Sequence, residues 1–207
     1  MKNFKTLVWA QIFIIYTRYI IGGAFVFASL IKIKGNRFTT ESGALYPIDN
    51  PWHFFETMYQ SGLYWKFIGA GQLIAGFLLM TQKYAKLGAI INFPIILNIF
   101  VITISYYFAL TPVITGMVLL ANILLFAWDW NEFKVLFNLT PIINSDARLE
   151  KDRVWQITGL TMFLFTFIYR VLVDKYNVFF WGVIFTIIGF IGLLVGLSRH
   201  RKIKNSS

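Results

Sequence analysis

The chain has 207 residues, of which 57% are hydrophobic and 14% charged, whereas a soluble domain carries roughly 45–50% and about 25%. Nine acids and nineteen bases cannot clothe a water-facing globule of this size, so the composition reads as an integral membrane protein. The formal charge of +10 fits bases set at the ends of spans, and no nucleic-acid partner is expected. The absence of Cys excludes disulfides, Fe–S clusters and thiolate metal sites within the chain. His53 and His200 fall in a loop and the tail, which excludes a pair of intramembrane haem ligands.

A helix needs roughly 20 apolar residues to cross a hydrocarbon core of about 30 Å. Six such windows follow in chain order, at about 7–31, 63–80, 87–108, 111–128, 154–173 and 177–197. The runs are continuous and do not alternate as barrel strands would. The expected fold is therefore all-α, a six-helix membrane bundle. With the N-terminus inside, the cytoplasmic side collects Lys2, Lys5, Lys83, Lys86, Lys134, Arg148, Lys151, Arg153, Arg199, Arg201, Lys202 and Lys204. The outside keeps Lys32, Lys34, Arg37 and Lys175, and this asymmetry predicts both termini in the cytoplasm of a cell (plasma or inner) membrane.

Lys2 and Lys5 before an apolar run, with Val26-Phe27-Ala28 beyond, loosely resemble a secretory signal. Arg18 interrupts that run and its length is too great, so the first span is expected to be retained. An external connection at about 32–62 carries Gly35, Pro47 and Pro51, and its Trp52-His53-Phe54-Phe55 piece reads as a short interfacial helix. A mixed-charge cytoplasmic segment at about 129–153, with Asp129, Glu132, Asp146, Glu150 and Asp152, follows the fourth span. The chain thus divides into a four-span unit, 1–134, and a region, 135–207, with a two-span hairpin and a basic tail.

Arg18 sits near the middle of the first span, where a charge costs about 2.5–3.5 kcal/mol on insertion scales, and is expected to face the bundle. Gly22, Phe25, Ser29 and Lys32 share its helical face. No acid lies in any span, so the expected partners of Arg18 are neutral groups, Gln72, Asn92, Asn98 and Asn122, or an external acid such as Asp49 or Glu56. Pro94 frees a carbonyl beside Asn92 and Asn98, and Thr111, Thr115, Val118 and Asn122 form one stripe of the fourth span. Arg18, Gln72, Asn92, Asn98 and Asn122 are thus the candidate ligand-binding residues; taken singly, the neutral ones serve equally as interhelical glue. Lys66 and Arg170 read as snorkelling bases, Arg170 with Asp174 as a local partner. Gly182, Gly189, Gly192 and Gly196 line one face of the last span, suited to packing or to homo-oligomer formation. Trp52, Trp65, Trp128 and Trp130 read as interfacial belt residues.

The run RYIIGGAFVFASLIKIK, with Arg18, Gly22, Gly23 and Lys34, resembles the opening signature of DoxX-like membrane proteins. The segments GLYWKFIGAGQLIAGFLLMTQKYAKLGAIINFPIILNIFVITIS and TPVITGMVLLANILLFAWDWNEFK resemble the second to fourth spans of that family, so the likeness covers about residues 12–134. It implies a four-helix DoxX-like unit extended by a C-terminal hairpin. The family includes a subunit of thiosulfate:quinone oxidoreductase and a component of a membrane oxidoreductase complex. An unpaired Arg18 inside a polar-lined four-span bundle, set beside that resemblance, leads to the expectation of a noncatalytic, oxidoreductase-associated subunit that binds a quinone-like or lipid ligand near Arg18, Gln72, Asn98 and Asn122 and docks a redox partner. Some relatives carry an acid in the second span where this chain has Gln72, which speaks against a proton-coupled role. Any electrons would be carried by a partner or a bound quinone. Two alternatives remain, a membrane scaffold or assembly factor and a small-anion transporter; an enzyme acting on its own has little support.

Overall fold

A computed structural model describes residues 4–141 and 148–206, with side chains to residue 202. Lys2 and Asp146 lie outside the described residues, and of Lys204 only the helical backbone is described. The described chain is helical: α1 (Val8–Ile33), α2 (Pro51–Gln60), α3 (Leu63–Met80), α4 (Ala85–Ser105), α5 (Thr111–Trp128), the single turn α6 (Trp130–Phe133), α7 (Arg153–Leu172) and α8 (Val178–Ser206). All of these except α2 and α6 are long and apolar enough to cross a membrane. The chain is a multi-pass membrane protein.

α1 is the central helix, packed along α3 and also against α5 and α7, while α4 joins α3 to α5 and α8 rests on α7. The α1–α3 seam is close because it is built from small residues. A Cβ on Gly22 would lie 2.8 Å from the Gly76 carbonyl, and one on Gly69 would lie 2.9 Å from that of Ser29. These contacts run antiparallel. The face expected from the sequence, Arg18, Gly22, Phe25, Ser29 and Lys32, is buried throughout.

The start of α1, the end of α8, the α3–α4 turn and the described residues between α6 and α7 gather on one face of the bundle, here the terminus face. The long α1–α3 connection and the α4–α5 and α7–α8 turns form the opposite, loop face. On the loop face the aromatic segment is the short helix α2, begun by Pro51 at its first position and capped by Asn50, whose Oδ1 accepts from Trp52 N at 2.9 Å. Glu56 organises this connection. It receives two hydrogen bonds from Arg37, at 2.8 and 2.9 Å, one from Gln60 and one from the Gly43 amide. Hydrogen bonding from Arg37 leads the causes that hold the Glu56 carboxyl at about 2, below its ordinary 4.5. A depressed carboxyl stabilises above its ordinary value and loses that contribution as pH falls. The connection is therefore expected to resist pepsin at pH 4.5 and to become cleavable as pH approaches 2, whereas Glu56→Gln is cleaved equally at both.

Of the two uses expected for the α8 glycine face the fold shows packing, and the belt reading of two tryptophans needs correction. The glycine face of α8 is taken up within the chain: a Cβ on Gly192 would lie 2.4 Å from Thr158 Cγ2 and one on Gly196 2.5 Å from the Trp155 ring, while Gly189 faces Tyr16 and Met162. Gly182 alone of the four has open space. The stripe closes the α7–α8 hairpin and is not a free surface for a second copy. Nor are Trp65 and Trp128 belt residues, since they are 2% and 7% exposed. Trp65 donates from Nε1 to the Asn36 carbonyl.

Candidate functional site

Arg18 is 1% exposed, and it is not surrounded by neutral groups. Its Nη2 lies 2.9 Å from Asp129 Oδ2, and its Nη1 donates to Glu150 and, at 3.1 Å, to Gln82 Oε1. Arg148 bridges the same acids, reaching Asp129 at 2.6 Å and Glu150 at 3.3 Å, and also meets Glu132 at 3.2 Å; Lys86 completes the set on Glu132. Three bases thus answer three acids.

Helix length explains why the neutral expectation fails. The 26 residues of α1 extend about 39 Å and the 18 of α3 about 27 Å. Gly22 lies across from Gly76 and Met80, so Arg18, one turn earlier, is level with the end of α3 and not with its middle. There it meets Asp129, the residue that closes α5, and Glu150 from the short turn before α7. Gln82 holds the α3–α4 turn in the left-handed region, φ 58°, which costs a non-glycine residue about 1–2 kcal/mol. The hydrogen bond from Arg18 offsets part of that cost. Burial alone would raise the Glu150 carboxyl, but Arg18 and Arg148 hold it below its ordinary value. Gln11 ties the same segment down, accepting from the Leu149 amide at 2.7 Å. Of this cluster the sequence reading singled out Arg18 alone. The available signal was the position of Asp129 beside the last residue of a span.

The remaining candidates divide. Asn98 is exposed and turns away from the bundle, as does Pro94. Gln72, Asn92 and Asn122 are buried, 3%, 0% and 0% exposed. Asn122 Nδ2 donates to the Ala89 carbonyl at 3.2 Å, and Asn92 Nδ2 donates to Asn122 Oδ1 at 2.8 Å. The Ala89 carbonyl needs a donor, which fixes Asn122; Asn122 then presents its oxygen to Asn92, which leaves Asn92 Oδ1 as an acceptor. Among the described residues, Asn92 Oδ1 and Gln72 Oε1 are the fully buried polar side-chain atoms with no hydrogen-bond partner. The α3–α4 register brings them near each other. Gly88 abuts Leu79 and Ala75, and Gly71 abuts Ile95, which sets Asn92 level with Ala75 and within about one turn of Gln72. Thr115 of the α5 stripe bonds Thr103 of α4 at 2.8 Å, a second polar contact between α4 and α5 besides Asn92–Asn122.

The interior of the four-span unit therefore holds two acceptors facing no donor. An unsatisfied buried acceptor costs about 1–3 kcal/mol, a cost that a hydroxyl-bearing guest removes. A groove of about 350 Å³ between α7 and α8 is lined by aliphatic residues with Thr158 and Thr161, and offers no charged group.

No family model matches the chain, and no solved structure matches it. It is similar to the uncharacterized protein YwoB of Bacillus subtilis (strain 168), 36% identical over 92 residues. That match covers 44% of this chain and 56% of the relative, so the chain spans little more than half the length of the curated protein it matches.

Proposed function

We propose that this chain is a noncatalytic membrane subunit of DoxX type that binds a quinone-like or lipid molecule inside its four-span unit and attaches to a redox partner. In this reading it lies in the cell membrane with both termini in the cytoplasm, and the Arg18 cluster locks the cytoplasmic segment onto the bundle. The observation that supports a ligand is the pair of buried, unpartnered acceptors, Gln72 Oε1 and Asn92 Oδ1. Acceptors fit the hydroxyls of a quinol or of a lipid, and the Gln72 amide nitrogen, which makes no hydrogen bond among the described residues, is a donor for the carbonyls of an oxidised quinone. A quinol held there would supply two-electron chemistry to a partner, with Gln72 and Asn92 orienting its oxygens. The scaffold alternative would use the α8 glycines and the mixed-charge segment, of which Gly189, Gly192, Gly196, Asp129 and Glu150 already pack or pair within the chain.

Gln72→Met keeps the side-chain length and removes one orphan acceptor. In detergent stripped of lipid and quinone, it is expected to raise stability by about 1 kcal/mol, read as a higher unfolding temperature. Lower stability in the stripped variant would mean that Gln72 serves as interhelical glue.

A further inference from the structure

On the loop face, far from the Arg18 cluster, two buried bases make no salt bridge among the described residues. Lys32 of α1 is 7% exposed and Arg170 of α7 is 5% exposed. Lys32 Nζ donates to the Ala28 carbonyl at 2.9 Å, and Arg170 Nε donates to the Phe27 carbonyl at 3.2 Å. Consecutive carbonyls of one helix turn thus hold both cations at the same depth, near enough for their charges to repel. The expected pairing of Arg170 with Asp174 does not form. Asp174 is 2.9 Å from Lys34 and acts on Arg170 through space without an ion pair, while Glu56 is bound to Arg37. Neither buried base has a carboxylate within ion-pair distance, and the Arg170 terminal nitrogens make no hydrogen bond among the described residues. Aromatic rings frame them: Trp65 lies 5.1 Å and Phe38 5.4 Å from Lys32 Nζ, and Phe27 and Tyr176 lie 4.5 and 3.9 Å from the Arg170 guanidinium.

Buried charges without counter-charge are costly, and ring faces repay only part of that cost. A compact ammonium beside a planar guanidinium with two free N–H edges is the donor set that takes a phosphate, with Arg bidentate and Lys as a point charge. We infer that Lys32 and Arg170 form a binding site for a phosphate-bearing group at the loop-face ends of α1 and α7. The depth of the site, at the ends of spanning helices, suits the headgroup of an anionic amphiphile; free phosphate has the same chemistry.

The test uses the full chain, delipidated in detergent, with phosphatidic acid, phosphatidylcholine or inorganic phosphate as the probe and the unfolding temperature as the readout. Phosphatidic acid is expected to stabilise the protein, and phosphatidylcholine at equal concentration much less. Stabilisation by inorganic phosphate at similar concentrations would assign the site to a soluble anion; stabilisation by phosphatidic acid alone assigns it to a headgroup. Lys32→Met and Arg170→Met are each expected to weaken the phosphatidic acid response about tenfold, and the double variant to lose it. Because neither base makes a salt bridge, and Asp174 keeps its contact with Lys34, the variants should remain folded without ligand. An undiminished response in the double variant, or no response of the parent to any probe, would overturn the site. Loss of basal stability in both single variants with the response intact would do the same, assigning the two bases to packing alone.

Discussion

Arg18→Gln is expected to cost the fold about 3–5 kcal/mol, the range for removing one partner of a buried ion pair. The loss does not come from the missing attraction alone. Asp129 is 2% exposed, and without Arg18 it and Glu150 keep Arg148 as their salt-bridge partner, with Lys5 near Asp129. The segment that carries Glu150 also hangs on Gln11 through the Leu149 amide, so the damage should spread along the approach to α7. Thermal unfolding in detergent should show a large fall, with protease cutting between α6 and α7 below the temperature at which the rest unfolds. Asp129→Asn combined with Arg18→Gln is expected to recover part of the loss, since the two changes remove one charge of each sign. If the double variant is as damaged as the sum of the singles, the cluster is not a coupled unit.

Gly159→Ala is expected to detach the α7–α8 hairpin from the four-span unit. A Cβ at this position would sit 1.9 Å from the Met80 carbonyl oxygen and 2.7 Å from Tyr19 Cε1. The first obstacle is backbone at the end of α3 and cannot swing aside. Tyr19, in turn, is anchored through its hydroxyl to the Trp155 carbonyl on the same α7. One methyl group therefore forces α7 outward, and overpacking of this kind costs about 1–3 kcal/mol or more. The control is Gly182→Ala in α8, where nothing lies within 4 Å and no loss is expected. Protease sensitivity of the connection before α7 distinguishes the two. Equal behaviour of both variants would mean that α7 does not rest on α3 as described.

Six apolar spans were legible because length and hydropathy alone define a membrane helix, and the buried face of α1 followed from its small and polar residues at helical spacing. The depth of Arg18 was not legible. Its place within α1 follows from the sequence, but its level in the bundle depends on where α3 and α5 end against it, which only the packing decides. Asp129 and Glu150 looked like loop acids for the same reason. The α8 glycines were read correctly as a packing face, yet the sequence could not say whether the partner was another copy or α7. Of the candidate site, Gln72, Asn92 and Asn122 lie inside as expected. Asn98 does not, because six residues beyond Asn92 is more than one and a half turns and rotates it to the other side of α4.

The ligand reading rests on Gln72 and Asn92, and mass spectrometry of organic extracts from the purified protein tests it most directly. The parent should yield a hydroxyl-bearing apolar molecule, a quinol or a lipid, approaching one per chain, and Gln72→Met prepared identically should yield little of it. Equal recovery from both proteins, or none from the parent, would contradict a site at these acceptors.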